Sequence, residues 1–205
     1  MIRRIFDMAA HWRALVAEAV ARYQVRRLWV PWVSQLDNTL PNDCGHACVL
    51  MLVKFDYAFN KDMASGLTVA DLWNAGIAPK GYTGPRDLVR LAAHYDVELA
   101  FTDHIDENFL IKQLDACHPV IVLVDYLHLR LPRHLSTPDQ GTHWLVVVGY
   151  DRKRFYVHDP LWRKQDIGGR FAEGGRWHPI ARETLMEAMQ ATGLMWGVHV
   201  VEKPQ

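Results

Sequence analysis

The run PVIVLVDY (119–126) limits the fold of this chain more than any other stretch. It is apolar at successive positions and rich in β-branched residues, which suits a strand covered on both faces. THWLVVVGYD and FYVHDPLW read as two further strands around Asp151-Arg152-Lys153, and LMWGVHVVE (194–202) reads as a closing strand. VELAFTD (97–103) alternates only weakly. Helical patterns fall mostly before these strands. One starts at Cys44 and runs to about Phe55, with Asp43 placed to cap it. TVADLWNAG (68–76) ends on a Gly suited to a stop, and GPRDLVRLAAHYD (84–96) has Pro85 in its first turn. ENFLIKQLDAC (107–117) and RETLMEAMQATG (182–193) complete the set. Residues 127–140, with Pro132 and Pro138, and the four-glycine segment 164–177 read as loops. Leading helices and a strand-rich end predict an α+β fold rather than alternating βαβ units.

With 205 residues, half of them hydrophobic, the chain can bury one sizeable core. Lys plus Arg equals Asp plus Glu at 23 each, so no broad basic surface for nucleic acid is expected. Three cysteines cannot all pair with one another, which points to a reducing, cytoplasmic setting. Asp7, His11, Arg13 and Glu18 interrupt the N-terminal apolar positions, excluding a signal peptide and a membrane span there. Residues 1–26 instead predict an amphipathic helix, with Ile5, Met8, Trp12, Leu15, Val16, Ala19 and Tyr23 on one face. Packing on its own domain, docking a protein partner and self-association all remain open for it. Residues 27–205 are the main domain.

The chemistry centres on PNDCGHACVLML. At the first turn of a helix, free N–H groups and the dipole favour an anion, so Cys44 is placed to be a thiolate. Gly45 would let a substrate backbone approach the sulfur. Cys48, one turn deeper among apolar residues, reads as a small buried hydrophobe. Cys44, His46 and Cys48 make a poor metal site, since 46 points away from the other two and no second cluster completes a tetrahedron. A base is needed beside a nucleophilic thiol, and His143 stands at the open end of a strand where a polar ring needs a reason. If the hairpin folds about Arg152, Asp159 is its same-face diagonal neighbour, about 7–8 Å away at Cα. A carboxylate there can fix the imidazole tautomer. A turn shifted by one residue would put the two on opposite faces. From the residues alone, ordinary alternatives stay open: a structural thiol for Cys44, a core histidine for His143, and a turn-forming residue for Asp159.

Three motifs, VPWVSQLDN, DCGHACVLML and THWLVVVGYD…YVHDP, resemble the bacteriocin-processing, double-glycine-leader cysteine peptidases and their stand-alone relatives. That resemblance implies a papain-like fold, a helical part carrying the cysteine packed on an antiparallel sheet carrying His and Asp. It implies Cys44 as nucleophile, His143 as base, Asp159 as orienting residue and Gln35 as a side-chain donor of the oxyanion hole. No metal and no cofactor is implied. Gln35 lies nine positions before Cys44, further than the family pattern, and His46 stands where the family has a smaller residue. No transporter or ATPase domain follows, so cleavage coupled to export is not implied. The same segments also resemble the guanylyl-cyclase-domain-containing proteins, although no nucleotide-phosphate motif accompanies them.

The expected reaction is cleavage of a peptide or isopeptide bond through a thioester, on a peptide or protein substrate. The same thioester could instead pass its acyl group to an amine or thiol, a transferase. A non-catalytic peptide-binding member of the fold is the third reading.

Overall fold

Residues 25–35, 40, 42–60, 66–129, 141–161 and 175–201 are described by the structure, a computed structural model. The described strands are β1 (Arg26–Arg27), β2 (Leu99–Thr102), β3 (Val120–Asp125), β4 (Thr142–Tyr150), β5 (Arg154–Asp159), β6 (Gly175–Ala181) and β7 (Gly197–Val200). They form one sheet in the order β2-β7-β3-β4-β5-β6, and β1 pairs separately with β4. Every pairing is antiparallel. The helices are α1 (Cys44–Asn60), α2 (Val69–Asn74), α3 (Pro85–Ala93), α4 (Glu107–Asp115) and α5 (Arg182–Gln190). The α+β arrangement expected from the pattern is therefore what the chain adopts.

Val120 to Val124 are all buried, as an apolar run without alternation requires. Cover comes from α1 against β4, α4 against β3 and β4, and α5 against β3. Arg182, the first residue of α5, clamps α4 through a 2.7 Å ion pair to Glu107. The core is one cluster, running from α1 (Cys48 to Val53) through β3 and β4 to Leu185 and Met189 of α5.

Local signals set the helix ends. Thr68 and Asp71 form a reciprocal capping box on α2, and Asp106 accepts from the Phe109 N–H to cap α4. Gly76 follows α2 at φ +68°, a left-handed conformation that a glycine adopts without strain. The cysteine helix α1 outruns its expected end at Phe55 and continues to Asn60. The glycine-rich segment read as a loop needs a larger correction. Gly175, Arg176 and Trp177 belong to β6, where Asp159 pairs with Gly175 and Val157 with His178. Pairing with β5 overrides the weak strand propensity of a Gly-Gly-Arg-Trp sequence. Of the N-terminal helix predicted over residues 1–26, residues 1–24 lie outside the described residues; its expected end is corrected, since Arg26 is in β1 and pairs with Tyr150.

The hairpin β4–β5 decides what faces the cysteine helix. Near its turn Tyr150 pairs with Phe155 and Gly149 with Tyr156. Past an irregularity between Val147 and Gly149 the pairs become Val147 with Val157 and Val146 with His158. Val148 is thus a bulge, one residue more on β4 than on β5. Counting on from Val146, Leu145 comes level with Asp159, and His143 lies two residues further on the same face. Without the bulge the turn-proximal register would put Asp159 on the opposite face from His143.

Candidate active site

Cys44 opens α1 and is half-buried, while its helix continues into the core. The Ala47 N–H donates to the Asp43 carbonyl at 3.0 Å, so the first helical bond closes immediately before the cysteine. His143 is the second residue of β4 and Asp159 the last of β5, at 5 % and 1 % exposure. Nε2 of His143 lies 3.0 Å from Oδ1 of Asp159. The other side of the ring interacts with Cys44 through a side-chain hydrogen bond. With Nε2 taken by the carboxylate, Nδ1 is the nitrogen left to face the sulfur.

Burial opposes a charge on His143. The Asp159 carboxylate and the hydrogen bonds to Asp159 and Cys44 outweigh it, so the ring holds its proton above the ordinary imidazole range. Asp159 is itself held from several sides. Its Oδ1 also accepts the Leu161 N–H at 2.8 Å, its Oδ2 accepts the Tyr126 hydroxyl at 3.0 Å, and its carbonyl accepts the Trp32 indole N–H at 3.0 Å. Gln35 reaches the same corner from the other side, with its backbone N–H donating to the Pro160 carbonyl at 2.9 Å. Its Oε1 is buried with no hydrogen-bond partner among the described residues.

The remaining residues of PNDCGHACVLML separate from this group. The Cys48 thiol is fully buried, donates to the Trp144 carbonyl at 3.3 Å, and has its pKa pushed up by burial and by the neighbouring Cys44, Asp159 and Asp43. His46 is fully buried against Trp73 with ring centroids 5.1 Å apart, and burial lowers its pKa against the pull of Asp87. Among the described residues, no group of three His, Cys, Asp or Glu side chains could hold a metal ion. The missing side chain of Gly45 serves packing rather than substrate approach. A Cβ there would stand 2.1 Å from Thr83 Oγ1 and 2.9 Å from Leu88 Cδ2.

His158, next to Asp159, points to the other face of β5. Its Nε2 donates to the Val30 carbonyl at 2.8 Å and its Nδ1 accepts the Trp177 N–H at 3.0 Å. Donor and acceptor together fix one neutral tautomer, and burial brings its pKa down to about 4. Two residues at the site were not singled out by the sequence reading, Trp32, which lies inside the VPWVSQLDN motif, and Tyr126, which lies in none. Strand parity could have found the second, since Val124 pairs with His143 and Tyr126 is two residues further along.

The architecture has parallels among solved structures. It is similar to a Bacillus anthracis protein described as a C39-like peptidase, at 18 % identity, covering 89 % of this chain and 100 % of that one, with a TM-score of 0.62. It is also similar to the peptidase domain of Streptococcus ComA, a bifunctional ABC transporter of a quorum-sensing pathway, at 16 % identity over 86 % and 99 % of the two chains, TM-score 0.52. A double glycine motif protease from an AMS/PCAT transporter, in complex with its leader peptide, matches at 16 % identity over 85 % and 94 %, TM-score 0.52. Among curated proteins none matches. The model of the Peptidase_C39 like family covers residues 27–184, from β1 into α5 and across all four expected site positions. The chain belongs to the Peptidase_C39 like family and is a cysteine peptidase of papain-like fold.

Proposed function

We propose that Cys44, His143 and Asp159 form a catalytic triad that hydrolyses a peptide or isopeptide bond through a thioester, with Gln35 and the Cys44 N–H as oxyanion donors. The observation carrying this reading is the imidazole of His143, held on one nitrogen by Asp159 at 3.0 Å and interacting with Cys44 on its other side. The His143 side chain takes the thiol proton, and the sulfur attacks the substrate carbonyl. The electron pair of the C=O moves to oxygen, where the Cys44 N–H and the Gln35 amide stabilise it; losing one such donor costs about 3–4 kcal/mol of barrier. Collapse of the tetrahedral adduct expels the amine, which leaves with the proton from His143. Water then attacks the thioester while His143 accepts its proton, releasing the carboxylic acid and the thiol.

The raised proton affinity of His143 supports this reading, because an imidazolium beside the sulfur is the partner a thiolate nucleophile requires. A neighbour solved with a leader peptide supports a peptide as the substrate class.

Alkylation with iodoacetamide at mildly acidic pH, followed by peptide mass spectrometry, tests the proposal. Cys44 is expected to react fastest, exposed Cys117 slowly, and buried Cys48 least. His143→Ala should slow Cys44 by about 100-fold or more. Equal rates at Cys44 and Cys117, unmoved by His143→Ala, would sink the triad. Profiling of new protein N-termini generated by the wild type against Cys44→Ala then identifies the cleaved sequence.

A further inference from the structure

The carboxylate of Asp159 is enclosed in a way the triad alone does not explain. Oδ1 serves His143 and the Leu161 N–H, whereas Oδ2 takes the phenol of Tyr126 at 3.0 Å. The same tyrosine ring meets the His143 imidazole edge-on, with centroids 5.0 Å apart and planes at 83°. One side chain therefore touches both members of the pair, hydrogen-bonding the acid and walling the base. Sheet parity puts it there. Val124 of β3 pairs with His143 of β4, and Tyr126 leaves the end of β3 two residues on, toward the same face. Its own N–H donates to the Gly141 carbonyl at 3.3 Å, which fixes the backbone opposite the start of β4. The 3-10 turn Tyr126–Leu129 begins at this residue.

We propose that Tyr126 is a positioning residue of the active site, holding the plane of the Asp159 carboxylate so that Oδ1 faces His143 Nε2. This rests on the triad reading above. An ionised carboxylate with only Oδ1 engaged is free to rock about its Cβ–Cγ bond, and the imidazole follows it. A donor on Oδ2 stops that motion. The edge contact with Tyr126 blocks the complementary rotation of the ring. The arrangement acts through His143, with no contact between Tyr126 and the reacting sulfur required.

Tyr126→Phe keeps the ring and removes the donor. The iodoacetamide reactivity of Cys44 at fixed mildly acidic pH is expected to fall roughly 10- to 100-fold, the range for losing a hydrogen bond to a charged group, while Cys117 is unchanged. The low-field proton resonance of the His143–Asp159 hydrogen bond in the NMR spectrum should move or broaden, with the thermal unfolding transition kept. A merely structural tyrosine would not move that resonance in a folded variant. Fluorotyrosine at 126, a stronger donor on the same ring, should shift the resonance in the opposite direction and retain reactivity. Wild-type reactivity with an unmoved resonance in Tyr126→Phe would overturn the proposal. A Cys44 that is unreactive in the wild type, or indifferent to Asp159→Asn, would instead overturn the triad reading.

Discussion

Gly45 has no room for a side chain, because Thr83 Oγ1 would lie 2.1 Å and Leu88 Cδ2 2.9 Å from its Cβ. Gly45→Ala must therefore displace the Thr83 and Leu88 side chains or shift α1 itself. A cost of about 1–3 kcal/mol is expected from overpacking, read as a lower urea midpoint. Reactivity of Cys44 should drop with it, since Cys44 is the preceding residue. Gln35→Ala leaves packing nearly untouched and is expected to slow turnover by about 10²- to 10³-fold, measured as the rate on a peptide found by N-terminus profiling. The placement of Cys44 at a helix start and of His143 beside Asp159 was legible in the sequence, because each combines a polar or reactive side chain with a position at an element's edge. The reason for Gly45 was not, since Thr83 and Leu88 are remote in sequence and neither carries a signal. Tyr126 was hidden for a related reason: a tyrosine ending an apolar strand is ordinary until the strand beside it is known.

At the scale of elements, the β4–β5 hairpin carries the geometry. A turn centred on Arg152 would have placed His143 and Asp159 on one face without further help. The observed turn pairs Tyr150 with Phe155, half a residue away from that, and the bulge at Val148 restores the face. The expected face is thus reached through a different turn from the one the sequence suggested, and the bulge that compensates was not readable, because it depends on the neighbouring strand. Here Leu28 donates to the Val148 carbonyl at 2.7 Å, and a Cβ on Gly149 would meet the Arg26 carbonyl at 2.2 Å. Deleting Val148 should leave strand content by circular dichroism largely intact and abolish the enhanced reactivity of Cys44. The turn itself is fastened by Asp151, which accepts from the Lys153 and Arg154 N–H groups, the Arg154 guanidinium and the Tyr156 hydroxyl. Burial works against its charge, yet these donors bring its pKa down to about 2. Asp151→Ala should cost about 1–3 kcal/mol in urea unfolding.

For the molecule as a whole, buried histidines set the response to acid. His158 is neutral between Val30 and Trp177, and its pKa of about 4 lies below the ordinary value of 6.5 because of burial. The unfolded chain binds the proton first, so stability is full above about pH 6.5 and is lost as pH falls toward 4. The shift corresponds to about 3 kcal/mol at pH 4. His46, His178 and His199 are lowered by burial and act in the same direction. His143 has the opposite sign; its contribution is present at low pH and is lost as pH rises through its raised value. Thermal melts from pH 7 to pH 4.5 should show a falling midpoint, less steep in His158→Gln, which keeps a donor and an acceptor but cannot take the proton. The order of helices and strands already indicated the fold class, but not where each strand sits. β7 lies between β2 and β3, although some 70 residues separate it from the end of β3. During synthesis the cysteine emerges from the ribosome long before Gly197, so β3 gains its second neighbour only when nearly all of the described chain is available. A nascent chain thus carries Cys44 while the sheet behind His143 is still incomplete, and the two can be held in their final geometry only once the C-terminal strand has been made.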